Sequence, residues 1–131
     1  MARQRVAAII IKNKKILLVR DSRADFFSMP GGTPENNENH IAALTREIKE
    51  EIGVTMKEIS YYFSFNLINQ TYKVPQTDHA YIVSIDDEPV SSSEITELGW
   101  FSKEDIINKN IKVPPAFFNK LFPKLVEENF F

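Results

Sequence analysis

Gly32-Thr-Pro-Glu-Asn-Asn-Glu38-Asn-His-Ile-Ala-Ala-Leu-Thr-Arg46-Glu47-Ile-Lys-Glu50-Glu51-Ile52-Gly53-Val54 is the most informative stretch of this chain. Its seven fixed residue types and two apolar positions would coincide in a random chain of this length with a probability on the order of 10^-7 at ordinary residue usage. Glu47, Glu50 and Glu51 are related as i, i+3 and i+4, which puts three carboxylates on one strip of a helix. Each like-charge pair there costs about 0.2–0.5 kcal/mol. A divalent cation among them reverses that sign. Carboxylate oxygens without histidine or cysteine favour hard cations, so Mg²⁺, or Mn²⁺ in its place, is the expected metal and zinc is not.

Around this strip the pattern predicts a helix from about Asn39 to Ile52, with Ile41, Leu44, Ile48 and Ile52 on its buried face, Asn39 as N-cap and Gly53 as the stop. At about 100° per residue the three glutamates fall on the flank of that apolar stripe, with Arg46 beside Glu50. Upstream, residues 26–38 carry Pro30, Gly31, Gly32 and Pro34 and read as a shaped loop, with Asn37 in the left-handed region. Before the loop, the apolar runs 5–11 and 16–20 flank Lys12–Lys15 and predict a hairpin of two buried strands.

Downstream, residues 59–68 and 79–85 predict an antiparallel strand pair, joined across a polar stretch containing Pro75. A loop around residues 86–93 leads to Glu97-Leu-Gly-Trp-Phe101. Ser102 to Asp105 resembles a capped helix start. Pro114 and Pro115 open a final helical segment, 116–128, with Phe117, Leu121, Leu125 and Phe118 at helical spacing. Strands alternating with helices in this way indicate an α/β layered domain.

The 131 residues, 43% of them hydrophobic, suit one compact domain over 1–131. The apolar run from Val6 to Ile11 is too short for a membrane span or the core of a secretion signal. Absence of cysteine excludes a disulfide, a thiolate zinc site and a cysteine nucleophile, and is compatible with a cytoplasmic location. Sixteen basic against eighteen acidic residues, with no long run of either sign, provide no broad positive face for a nucleic-acid polymer, and no membrane partner is expected. His40 and His79 lack a partner at metal-ligand or triad spacing and read as structural or exposed. Trp100 and the late phenylalanines read as core, and Asp78 as surface.

With Pro30-Gly31-Gly32, Arg46-Glu47 and Glu50-Glu51 in place, the chain resembles the Nudix hydrolases, and these residues those of the Nudix box. The resemblance implies an α/β/α sandwich with a mixed β-sheet between helices, and Mg²⁺-dependent hydrolysis of a diphosphate linkage in a nucleoside diphosphate derivative. It makes Glu50, Glu51 and the backbone carbonyl of Gly31 metal ligands, and Glu47 a ligand or the general base. Arg46 orients the acids and Glu38 holds Arg46, while Gly32 and Gly53 are structural. Family members often bring another acid from the loop before the Trp-containing strand, a position open to Glu94 or Glu97. Arg20 is a candidate phosphate clamp and Arg23 a second. Carboxylate crowding is expected to raise the pKa of at least one glutamate in the metal-free protein.

Relatives of the MutT type have an asparagine just after Pro-Pro-Ala near the end, where it reads a purine. Here Phe117 follows Pro114-Pro115-Ala116, an aromatic that stacks on a base but cannot hydrogen-bond its edge. Asn119 lies on another side of the helix. That departure argues against selectivity for oxidised guanine, and the favoured substrate is a small-molecule nucleotide, a nucleoside triphosphate cleaved to monophosphate and pyrophosphate by a monomer or homodimer. The alternatives are a dinucleoside polyphosphate, near the marker tyrosine of whose hydrolases in this family Tyr72 stands, another nucleoside diphosphate derivative, and a non-catalytic nucleotide-binding module. Phe130-Phe131 would dock on the domain or on a second subunit.

Overall fold

The structure, a computed structural model, describes residues 2–131. Strand β1 (Arg3–Ile9) lies between β4 (Gly31–Gly32), to which it is antiparallel, and β6 (Pro75–Ile85), to which it is parallel. The long β5 (Met56–Ile68) completes this mixed sheet by pairing antiparallel with β6, as the sequence predicts, and both strands extend beyond the predicted limits. Pro75 is the first residue of β6, where its missing N–H costs no ladder bond. A second, antiparallel sheet orders β2 (Ile11–Lys12), β3 (Lys15–Asp21) and β7 (Ile95–Ser102).

The predicted hairpin of runs 5–11 and 16–20 is corrected to a hairpin of β2 and β3 alone, in register Ile11↔Ile16 and Lys12↔Lys15. Asn13 and Lys14 both have positive φ, at 52° and 63°, the conformation that lets a two-residue turn match strand twist. The first run leaves for the other sheet at Ile10, and the Leu17 N–H to Ile10 carbonyl bond of 2.9 Å stitches the two sheets together. β1 is thus buried on both faces: Val6 and Ala8, followed by Ile10 just past the strand, enter one core, Ala7 and Ile9 the other.

Those two cores define the layers. Helix α1 (His40–Ile52) covers the first with Ala43, Leu44, Ile48 and Ile52. Helices α2 (Lys103–Ile107) and α3 (Phe122–Glu127), with a π-helical turn at Phe117–Leu121, cover the second. The result is the expected α/β/α arrangement with mixed sheet. Ile41, predicted to be buried, falls on the first turn of α1 and is exposed; Ala43 joins the stripe instead. In the last segment Phe122, rather than Phe118, joins Phe117, Leu121 and Leu125 in the core. Pro123 explains the shift, because it has no N–H for the preceding turn and its ring would meet that carbonyl, so the chain widens into a π-turn. Phe130 packs on Tyr62 and Phe131 on Phe122, so both terminal aromatics dock on their own domain. No helix among the described residues is long and apolar enough to cross a membrane.

The ends of α1 follow local rules. Asn39 accepts from the Ala42 N–H at 2.8 Å, and Gly53, at φ 70°, closes the helix by donating to Lys49 O. Gly53→Ala places a Cβ 3.3 Å from Val90 Cγ2 in a left-handed backbone. It should cost about 1–2 kcal/mol, a loss of roughly 3–6 °C in the thermal midpoint. An unchanged midpoint would contradict this account of the helix end.

Candidate active site

Three elements build the site. β4 carries Gly31 and Gly32, whose edge is fixed on β1 in register Ala7↔Gly31 and Val6↔Gly32. A Cβ on Gly31 would strike the Val6 carbonyl, and one on Gly32 the Glu47 carboxylate. With neither present, the acidic flank of α1 closes directly onto the glycine backbone, and the Gly31 N–H donates to Glu51 Oε1 at 3.0 Å.

Arg46 organises the acids around it. Its Nε and Nη2 grip Glu38 in a two-point bond of 2.7 and 2.9 Å, Nη1 donates to Glu47 Oε1 at 2.8 Å and lies 3.5 Å from Glu50 Oε2. The planar fork of arginine permits this sharing. Glu38 is positioned by the turn at Asn37, where φ is 70° as predicted, and accepts a further bond from the Glu35 N–H. Hydrogen bonds from Arg46 and from that backbone hold the Glu38 carboxyl down to about 2.

Glu47, Glu50 and Glu51 line a cleft of about 490 Å³ together with Arg5, Asp21, Arg23 and Glu94. Burial pushes the Glu51 carboxyl up to about 7, opposed by the positive charge of Arg5 and the Gly31 N–H. Glu47 is also raised, again chiefly by burial and against the bonds from Arg46. The expected upward shift is present, but desolvation outweighs the crowding of like charges as its cause.

The other sequence-predicted residues separate. Glu97 is drawn away from the cleft, because it stands opposite Arg20 across β3 and β7 and the Arg20 Nε donates to its Oε1 at 2.7 Å. Arg20 is held there too, also donating to the Ala24 carbonyl. The irregular register after Arg20 brings Asp21 opposite Ile95, and Glu94 rather than Glu97 faces the glutamates. Arg23 lines the cleft, bound to Asp21 and Glu94. Phe117 is buried and borders a neighbouring cavity of about 300 Å³, not the acid cleft. Asp78, read from the sequence as surface, is buried behind Arg5, 3.7 Å away, and lines that same cavity. His40 bonds Tyr81 and His79 bonds Ser64 and Gln4, a structural role for each. Trp100 packs against the first core.

Sequence reasoning missed Arg5, whose Nη2 donates to the Met29 carbonyl at 2.6 Å between the two cavities. Its signal was a lone charge opening an apolar strand, and its value shows only once β1 and β6 are paired, with Arg5 opposite Asp78.

The donor chemistry of the cleft fits a hard divalent cation. Its facing acids are all carboxylates, and Glu51 has one oxygen without a protein donor among the described residues. No three His, Cys, Asp or Glu side chains among the described residues converge into a ready cage. Glu47 and Glu50 lean instead towards Arg46, as like charges do when a cation in their own chain is within reach. A carboxyl raised in the fold contributes stability that is full below its unfolded pKa, about 4.3, and lost as pH rises through its folded value near 7. In chelator the thermal midpoint should therefore fall between pH 5 and 8 and rise again with Mg²⁺, and Glu51→Gln, which mimics the protonated form, should flatten that fall. A wild-type midpoint that climbs over this range would contradict the burial of Glu51.

Comparison with known proteins agrees with this architecture. The chain is 31% identical over 111 residues, 78% of its length, to the m7GpppN-mRNA hydrolase of Saccharomyces cerevisiae (strain ATCC 204508 / S288c). It is 30% identical over 84 residues, 61% of its length, to the NAD-capped RNA hydrolase NudC of Mycobacterium tuberculosis (strain ATCC 25618 / H37Rv). The matched parts span only 11% and 25% of those relatives. In three dimensions it resembles the E. coli ORF135 protein with a TM-score of 0.74 and 27% identity, covering 98% of this chain and 93% of that one. Residues 1–121 match the NUDIX domain, and the chain belongs to that family of hydrolases.

Proposed function

We propose that this protein is a Mg²⁺-dependent pyrophosphohydrolase that cleaves a phosphoanhydride, with a nucleoside triphosphate as substrate and a nucleoside monophosphate and pyrophosphate as products. The observation that carries the reading is Glu51, a carboxylate buried against the Gly31 N–H in a cleft of acids, where only a cation makes its charge favourable. Glu50, Glu51 and the Gly31 carbonyl would hold Mg²⁺, or Mn²⁺ in its place, with Glu94 the acid from outside the helix. When bound, the cation neutralises phosphoryl oxygens and acidifies water.

The chain's own residues do the rest. Arg5 and Arg23, which line the same cleft as the glutamates, would present positive charge to the phosphates. Arg46 fixes Glu47 by its Oε1, leaving Oε2 to take the proton of the attacking water. That water adds to the α-phosphorus as the bond to the bridging oxygen breaks, and pyrophosphate leaves. The neighbouring cavity is of a size to receive the nucleoside. The protein would act in the cytoplasm as one domain, monomeric or homodimeric, on a small-molecule nucleotide rather than a nucleic-acid polymer or a membrane.

A second reading, a dinucleoside polyphosphate or other nucleoside diphosphate derivative as substrate, is favoured by relatives whose names refer to m7GpppN-mRNA and NAD-capped RNA. Product analysis separates the two, since only the first yields pyrophosphate from a triphosphate. A binding module without turnover is the remaining alternative. Hydrolysis should require added Mg²⁺ and rise between pH 6 and 9. Glu51→Gln should lower kcat by at least about 100-fold, the scale of several kcal/mol of charge stabilisation, while retaining a cooperative melt. Turnover in that variant equal to wild type would remove Glu51 from the metal site.

A further inference from the structure

The cavity beside the acid cleft shares Arg5, Asp21 and Gly32 with it, and carries on its wall two side chains that the hydrolytic machinery does not use. Gln76 and Asp78 are i and i+2 on β6, on the same face of the sheet, and are 5% and 7% exposed. They are the buried polar side chains of the described residues. Such groups are costly to bury unless bonded, and these two form a row of fixed polarity. Asn69 is locked because its Oδ1 accepts from the Thr71 and Tyr72 N–H groups, at 2.9 and 2.8 Å. Its Nδ2 must then donate to Gln76 Oε1, at 2.7 Å, and Gln76 Nε2 donates to Asp78 Oδ1, also at 2.7 Å. Flipping the Gln76 amide would set amine against amine and oxygen against carboxylate.

What remains uncommitted is the second N–H of Gln76 beside the Asp78 carboxylate, whose Oδ1 accepts from Gln76 and keeps a further lone pair while its Oδ2 lies 3.7 Å from Arg5: a donor next to an acceptor, with their order fixed. A second observation points to a polar ligand in the same place. Arg3, which also lines this cavity, holds the buried side-chain polar atom without a partner among the described residues, its Nε, while its guanidinium lies 4.4 Å over the Tyr72 ring.

We propose that the Gln76–Asp78 row reads the edge of the substrate's base, and selects an exocyclic amino group next to an unprotonated ring nitrogen, as in cytosine and adenine. The inference rests on the phosphoanhydride reading of the adjoining cleft, which delivers the nucleoside to this wall. The amino group donates to Asp78, and the ring nitrogen accepts from Gln76. Uracil and hypoxanthine reverse both partners, setting a carbonyl oxygen against the carboxylate and a ring N–H against the Gln76 N–H. A buried site built for one pattern discriminates strongly against the other, because its own groups are left unpaired.

The test compares nucleotides that differ at this edge, on the intact chain in MgCl₂. Calorimetric Kd values for CMP against UMP, and for AMP against IMP, should favour the amino-bearing base by about 10- to 100-fold. The same ratio should appear in kcat/KM for CTP over UTP. Asp78→Asn, whose amide can turn its NH₂ towards a carbonyl, should reduce the ratio to below about threefold. The wild-type comparison needs no variant, so poor folding of Asp78→Asn does not blunt it. Equal affinity within both pairs, or binding of none of the four at millimolar concentration, overturns the proposal, even when triphosphates are hydrolysed. Discrimination in binding with no hydrolysis of any nucleotide would instead sustain the base reading and sink the proposed activity.

Discussion

The contact between the Gly31-Gly32 backbone and the acidic flank of α1 sets the geometry of everything around it. It exists because neither glycine has a Cβ: one would meet the Val6 carbonyl, the other the Glu47 carboxylate. β4 is only these two residues, yet it is pinned to the edge of β1, whose alternate side chains anchor both cores. The hydrophobic packing of the sandwich thereby fixes the Gly31 N–H, and that N–H fixes Glu51. Packing energy is passed through one strand edge into the position of a carboxylate.

The same contact makes the site electrostatically expensive. Glu51 and Glu47 are held where burial favours their neutral forms, while Glu38, gripped by Nε and Nη2 of Arg46, is held charged. One guanidinium serves Glu38, Glu47 and Glu50 at distances from 2.7 to 3.5 Å. Arg5 adds positive charge from the strand side. Arg46 relieves the acids on the outer rim, while Arg5 and the Gly31 N–H offset only part of the burial of Glu51, so ionisation is least favourable where, on the proposed reading, a divalent cation and a polyphosphate would meet. Strain of this kind is tolerated because the two cores on either side of the sheet are closed and apolar.

The helix, its caps, the left-handed Asn37 and the Arg46 cluster were legible in the sequence because each depends on residues within a few turns of one another. The layered fold was legible for the same reason, since apolar periodicity is local. What escaped were features made by pairing across the sheet. Arg5 and Asp78 are distant in sequence and adjacent only through the parallel register of β1 and β6. Glu97 and Arg20 looked available until the β3–β7 register set them opposite one another. The hairpin prediction failed at Ile10, where an uninterrupted apolar run hides a crossing between sheets. Phe118 was displaced from the core by Pro123, whose effect on the preceding turn required a π-turn that periodicity alone does not indicate.

The central proposal is that the fold keeps the Glu51 carboxyl protonated up to a pH near 7 and that a divalent cation takes the place of its proton. Following the Glu51 side-chain carboxyl by carbon NMR through a pH titration, with and without Mg²⁺, tests it most directly. The account predicts a midpoint close to 7 in chelator, falling below the ordinary glutamate value of about 4.3 when Mg²⁺ is saturating. An ordinary midpoint in chelator, or one that Mg²⁺ leaves unmoved, would contradict it.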